Sequence, residues 1–132
     1  MPKPLFVDTG YVIALINESD RHHPQSVQLA KKYAGVPLVT TDAVLLEIGN
    51  ALSRIARPEA VTILRYFQTA PEVTLVSLTS AYLNQAIDLY ARYQDKSWGL
   101  VDCFSFIVMT EVGIQEVLGF DRHFVQAGFR LL

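Results

Sequence analysis

The chain has 132 residues, a length suited to one domain spanning 1–132 with one substantial core. Its 51% hydrophobic and 18% charged residues exclude a disordered chain, and its single cysteine, Cys103, excludes an internal disulfide or a cysteine-built zinc site. The formal net charge of −2 does not point to a nucleic-acid binder, although setting aside four particular acids reverses the sign of the balance.

In chain order, Leu5 to Val7 reads as a short buried strand and Gly10 to Asn17 as a short helix. The apolar stretch from Leu5 to Ile16 is cut by Asp8 and stops at Asn17-Glu18, short of the ~20 apolar residues of a membrane span. With no export signal and one cysteine, a cytoplasmic protein without a membrane partner is expected. Residues 23 to 34 carry a helical pattern closed by Gly35, and Pro37 to Thr40 reads as the next strand.

Thr41 or Asp42 caps a helix predicted to run to Ala56, and Pro58 opens another to Thr69. Val73 to Leu78 is a third strand, followed by a helix capped by Thr79 or Ser80 and ending near Tyr93. Gln94 to Gly99 is a polar loop. Residues 101 to 112 form a nearly all-apolar helix, so most of its surface is expected to be covered. Val117 to Phe120 and Phe129 to Leu131 supply two last strands with a short helix between them. Short apolar strands alternating with helices predict an α/β/α domain around a central, mostly parallel sheet of about five strands.

Four acids stand inside or at the edge of apolar runs. Asp8 ends Leu5-Phe6-Val7, and Glu47 interrupts Ala43 to Ile48. Asp102 lies between Leu100-Val101 and Cys103-Phe104, and Asp121 closes Val117 to Phe120. An ionised carboxylate in such surroundings costs several kcal/mol unless it is neutralised, paired or bound to a cation. In a parallel α/β sheet the strand ends form one rim, so one shared divalent cation accounts for all four. Hard oxygen ligands suit Mg²⁺ or Mn²⁺, and the matching chemistry is hydrolysis of a phosphodiester by one or two ions.

Each acid has a plainer explanation when taken alone. Asp8 and Asp121 read as strand-end caps. Asp102 reads as a first-turn helix charge with Ser105 at i+3, and Glu47 as part of a solvated stripe with Asn50 and Arg54. Val44, Ile48, Ala51, Leu52 and Ile55 share another face of that helix. His22-His23 reads as a helix start or surface pair, and His123 as a solvated side chain. Arg122, Lys96, Arg92 and Arg57 are candidate RNA contacts or ordinary exposed residues, and Trp98 and the tyrosines read as core or interface.

The segments carrying these acids resemble those of PIN-domain ribonucleases, specifically VapC-type toxins. They are Phe6-Val7-Asp8-Thr9-Gly10, Thr40-Thr41-Asp42 through Glu47 to Asn50, Trp98 to Cys103 with Ser105-Phe106, and Phe120 to Phe124 with Gln126 to Phe129. The likeness implies a PIN-like fold and Mg²⁺- or Mn²⁺-dependent endonucleolytic cleavage of RNA. It implies Asp8, Glu47, Asp102 and Asp121 as catalytic metal-site residues and Thr9 as a supporting hydroxyl, with Asn50, Arg54, Ser105 and Arg122 as candidate support or substrate contacts. It further implies a homodimer and a small cognate antitoxin that enters the acidic pocket with a basic side chain. The chain departs from the family pattern at Gly10, Gly99 and Val101, where hydroxyl residues are common. Loss of such supporting hydrogen bonds can cost ~10–100-fold in metal affinity or activity. The alternative is therefore a catalytically weak PIN-fold RNA-binding or protein-interaction module. A phosphoryl-accepting receiver domain does not fit, because the third strand ends Val76-Ser77-Leu78-Thr79 without the aspartate it needs.

Overall fold

The computed structural model describes residues 2–132. Its elements in chain order are β1 (Leu5–Val7), α1 (Thr9–Ile16), α2 (His23–Lys32), β2 (Leu38–Thr41), α3 (Asp42–Leu52) and α4 (Arg57–Thr69), then β3 (Val73–Val76), α5 (Ser80–Arg92), α6 (Leu100–Val112), β4 (Glu116–Leu118), α7 (His123–Gln126) and β5 (Arg130–Leu131). The five strands form one sheet in the order β3-β2-β1-β4-β5, and every pairing is parallel.

Right-handed crossovers dictate where the helices go. Stepping from β1 to β2 to β3 in one direction places α1 to α4 on one face, where α1 packs on α2 and α3, and α3 on α4. The return from β3 to β4 runs the opposite way, so α5, α6 and α7 cover the other face, with α6 against both neighbours. The chain changes direction between β1 and β4, the central pair. Their carboxyl ends flank the switch point at which open parallel sheets form a crevice. The core beneath it is built from β1, all three residues buried, with Val12, Ile48, Phe104, Met109, Val117 and Phe124.

Several boundaries differ from the sequence expectation for identifiable reasons. The helix predicted to reach Ala56 stops at Leu52, because α4 must fold back onto it and residues 53 to 56 make the turn. Ile55 thus leaves the apolar face of α3 and is exposed, while Val44, Ile48 and Leu52 keep their buried places. Thr41 is the cap of α3, its Oγ1 accepting the Val44 N–H at 3.2 Å. Asp42 instead accepts the Leu78 N–H and fastens the segment after β3. Gly113, at φ 82°, ends α6 in the left-handed conformation that favours glycine.

β4 ends at Leu118, two residues before the predicted end. The Asp8 N–H donates to the Leu118 carbonyl at 3.0 Å, and the chain then passes close against Asp8 at Gly119. A Cβ there would stand 3.1 Å from that of Asp8. Among the described residues no helix is long and apolar enough to cross a membrane.

Candidate active site

Four separate elements bring the four acids to one cavity. Asp8 follows β1 directly, in the extended N-cap position of α1, where its side chain makes no capping hydrogen bond. The end of β1 is held by Thr40, a buried residue whose Oγ1 donates to the Val7 carbonyl at 2.8 Å. Glu47 lies on the second turn of α3, beside the face that buries Val44, Ile48 and Leu52. Thr9 Oγ1 donates to Glu47 Oε1 at 2.6 Å and so ties α1 to α3.

Asp102 sits in the first turn of α6, and its Oδ2 accepts the Gly99 N–H at 3.0 Å. Its position at a helix N-terminus favours the negative charge. Asp121 lies in the loop after β4, three residues past the strand end, where its Oδ1 accepts the His123 N–H at 2.9 Å. The cavity has a volume of about 660 Å³ and is lined by the four acids with Thr9, Gly10, Ile13, Asn50 and Ala51. A second cavity of about 610 Å³ between α5, α6 and α7 is lined mainly by aromatic and aliphatic side chains and contains none of these acids.

Electrostatically the cavity is uncompensated at its deepest point. Asp8 is 7% exposed, and its carboxyl is pushed up to about 7. Burial is the main cause, opposed by the Thr9 N–H and reinforced by the charges of Asp102, Glu47 and Asp121. The donor set is carboxylate oxygen, which suits a hard divalent cation such as Mg²⁺ or Mn²⁺. One Asp102 oxygen, one Asp121 oxygen and a His123 ring nitrogen lie within 4.8 Å of one another, a tighter group that includes neither Asp8 nor Glu47.

The other candidates divide. Thr9 and Asn50 line the cavity, whereas Arg54 and Arg122 are exposed outside its lining, Arg54 in the turn after α3 and Arg122 in the loop before α7. Ser105 is fully buried within α6, its hydroxyl without a partner among the described residues, and does not line the cavity. His22 stacks on Phe120 with ring centroids 4.2 Å apart, and His23 Nδ1 is 2.8 Å from the Ala14 carbonyl, so both hold α2 in place.

His123 is not the solvated side chain expected from sequence. Nδ1 lies 2.9 Å from Asp102 Oδ2 and 3.2 Å from Asp121 Oδ1, and Nε2 lies 3.1 Å from Ser97 Oγ. The available signal was its spacing from Asp121, since an aspartate readily accepts the backbone N–H two residues on. Gly119 was also passed over, because nothing local shows that the chain there runs against Asp8.

Comparison with known proteins follows the same outline. The sequence profile of the PIN domain matches residues 5–130. The chain is 31% identical over 127 residues, 95% of either chain, to the 23S rRNA-specific endonuclease VapC20 in two strains of Mycobacterium tuberculosis. It superposes on the crystal structure of M. tuberculosis VapC20, a toxin that cleaves the sarcin-ricin loop, with a TM-score of 0.86. That match has 28% identity and covers 96% of each chain.

Proposed function

This chain belongs to the PIN domain family, and from that premise we propose that it is a VapC-type toxin, a Mg²⁺- or Mn²⁺-dependent endoribonuclease. The observation that carries the reading is Asp8, a buried carboxylate facing three other carboxylates in one cavity at the sheet's switch point. Asp8, Glu47, Asp102 and Asp121 would hold the cation. When bound, it supplies positive charge and Lewis acidity to a phosphodiester and its attacking water.

This chain's own residues bind and orient. Thr9 fixes the Glu47 carboxylate through its short hydrogen bond. Asn50, one turn along α3, presents an amide to the cavity that suits a phosphate oxygen. Ile13 and Ala51 form an apolar wall that limits water on that side. In the reaction a water oxygen bonds to phosphorus, the bond to one ester oxygen breaks, and that oxygen leaves with a proton.

The M. tuberculosis relative acts on 23S rRNA, which makes ribosomal RNA the first substrate to test here. A cytoplasmic site of action and a small antitoxin placing a basic side chain in the cavity belong to the same reading. Exposed apolar residues support partner chains, namely a second copy and the antitoxin. They are Leu83, Ile87 and Tyr90 in a stripe on α5, and Leu46 and Val61 on α3 and α4.

The test uses protein purified free of antitoxin and incubated with ribosomal RNA. Cleavage is expected with Mg²⁺ or Mn²⁺, none with chelator, and a loss of at least about 100-fold in Asp102→Asn. Cleavage that survives both chelation and Asp102→Asn would sink the proposal. RNA binding without turnover at any divalent ion would establish the binding module in its place.

A further inference from the structure

We infer that His123 is a positioning residue, a fixed hydrogen-bond donor that sets the orientation and spacing of Asp102 and Asp121 without itself ligating the cation. This rests on the reading that the four acids hold a divalent ion.

The geometry is reciprocal. Asp102 Oδ2 receives the Gly99 N–H at 3.0 Å and faces His123 Nδ1 at 2.9 Å. An ionised carboxylate only accepts, so Nδ1 carries the hydrogen. The same Nδ1 stands 3.2 Å from Asp121 Oδ1, which also accepts the His123 N–H at 2.9 Å. One oxygen of each carboxylate is thus committed to His123, leaving the other oxygen of each free of it. A ring nitrogen that carries its proton has no lone pair for a metal, and Nε2 is turned toward Ser97 Oγ at 3.1 Å.

The mount for this ring is firm. His123 opens α7, and the next residue, Phe124, is fully buried against Phe6 and Phe106. One turn on, Gln126 Oε1 accepts the Trp98 Nε1–H at 3.0 Å. The Ser97 and Trp98 contacts therefore bind α7 to the loop that delivers Gly99 and the first turn of α6. His123 joins two carboxylates 19 residues apart in the chain, from elements with no backbone hydrogen bond between them. Without this donor their mutual repulsion would turn them apart. Such supporting hydrogen bonds are worth ~10–100-fold in metal affinity.

Asparagine and glutamine separate this role from a merely structural one. The Asn side-chain N–H falls near the position of Nδ1, and that of Gln near Nε2. Mn²⁺ binding to the full chain, followed by electron paramagnetic resonance, is the readout, with thermal melts confirming that each variant is folded. His123→Gln and His123→Ala are expected to lose ~10–100-fold in Mn²⁺ affinity, while His123→Asn stays within a few-fold of wild type. The wild-type Mn²⁺ signal is expected to carry no imidazole nitrogen coupling. Nitrogen coupling would make His123 a ligand and overturn the inference. So would three variants that all bind like wild type, or an Asn variant as weak as Ala. Wild-type protein that binds no Mn²⁺ and cleaves no RNA would overturn the metal-site reading itself, and the inference with it.

Discussion

On one side of the cavity, Asp8 and Glu47 project from the end of β1 and from α3. On the other, Asp102 and Asp121 project from α6 and the loop after β4. The second pair is compensated within the protein, since Asp102 lies at a helix N-terminus and both carboxylates accept from His123. The first pair is not. Among the described residues Glu47 receives only the Thr9 hydroxyl, and Asp8, eased by the Thr9 N–H, is buried with three like charges around it. The difference teaches where a cation has most to contribute. On the proposed reading the His123 side would be preorganised before any ion arrives, and the Asp8 side would stay strained until one did.

The sharpest way to break this comparison is Asp8→Asn. Cleavage should fall at least about 100-fold, as expected for removal of a metal-site carboxylate. Without metal, stability should move the other way. The folded protein holds the Asp8 carboxyl at about 7 against an ordinary 3.8, so it binds this proton more tightly than the unfolded chain. The resulting stability is fully present below pH 3.8 and is lost as pH rises through about 7. At about 1.4 kcal/mol per tenfold ratio, keeping Asp8 ionised above pH 7 costs the fold up to roughly 4 kcal/mol. In chelator, Asp8→Asn should therefore be more stable than wild type at pH 8, by about 2–4 kcal/mol, and equal to it near pH 4. Urea unfolding at the two pH values measures this. Equal stability at pH 8 would mean that Asp8 is compensated after all.

A smaller perturbation tests position without touching charge. In Gly119→Ala the new Cβ would lie 3.1 Å from the Asp8 Cβ and 3.5 Å from its Oδ2, so Asp8 must move by a few tenths of an ångström. The expected cost is about 1 kcal/mol in stability and about 10-fold in cleavage, because metal-assisted chemistry tolerates little displacement of its groups. Gly10→Ala is the control for stability. Its Cβ meets nothing within 4 Å, and a glycine replaced in the first turn of α1 should gain a few tenths to about 1 kcal/mol. If both glycines respond alike, the close passage past Asp8 carries no functional weight.

What could be read from the sequence follows the range of the interactions involved. The four acids were visible because short apolar strands in a parallel fold end on one rim, and Asp8 needs no more than that rule. Arg54 falls outside the cavity lining because helical spacing from Glu47 and Asn50 assumes an unbroken helix, and α3 turns after Leu52 to receive α4. Ser105 misled because α6 is apolar on nearly every side, so periodicity does not reveal which face meets the cavity. His123 was undervalued because its principal partner, Asp102, is 21 residues away. Only the docking of α7 on α6 brings that pair together, and no local pattern encodes it.

The smallest expected effect tests how complete the compensation of Asp102 already is. Gly99 is the N-cap of α6 and lacks the hydroxyl common at this place in the family, yet its N–H is met by Asp102 Oδ2 at 3.0 Å. A Cβ at Gly99 would find Asp102 Oδ2 at 3.9 Å, an ordinary contact, so Gly99→Ser fits without rearrangement. Serine improves on glycine at an N-cap by only a few tenths of a kcal/mol, which predicts a rise of roughly 1–2 °C in Tm. Mn²⁺ affinity should stay within a few-fold, because His123 and the Gly99 backbone N–H already hold the carboxylate. A tenfold gain in affinity from Gly99→Ser would show the opposite. Asp102 would then be under-supported as the chain stands, and the two sides of the cavity would differ less than their hydrogen bonds imply.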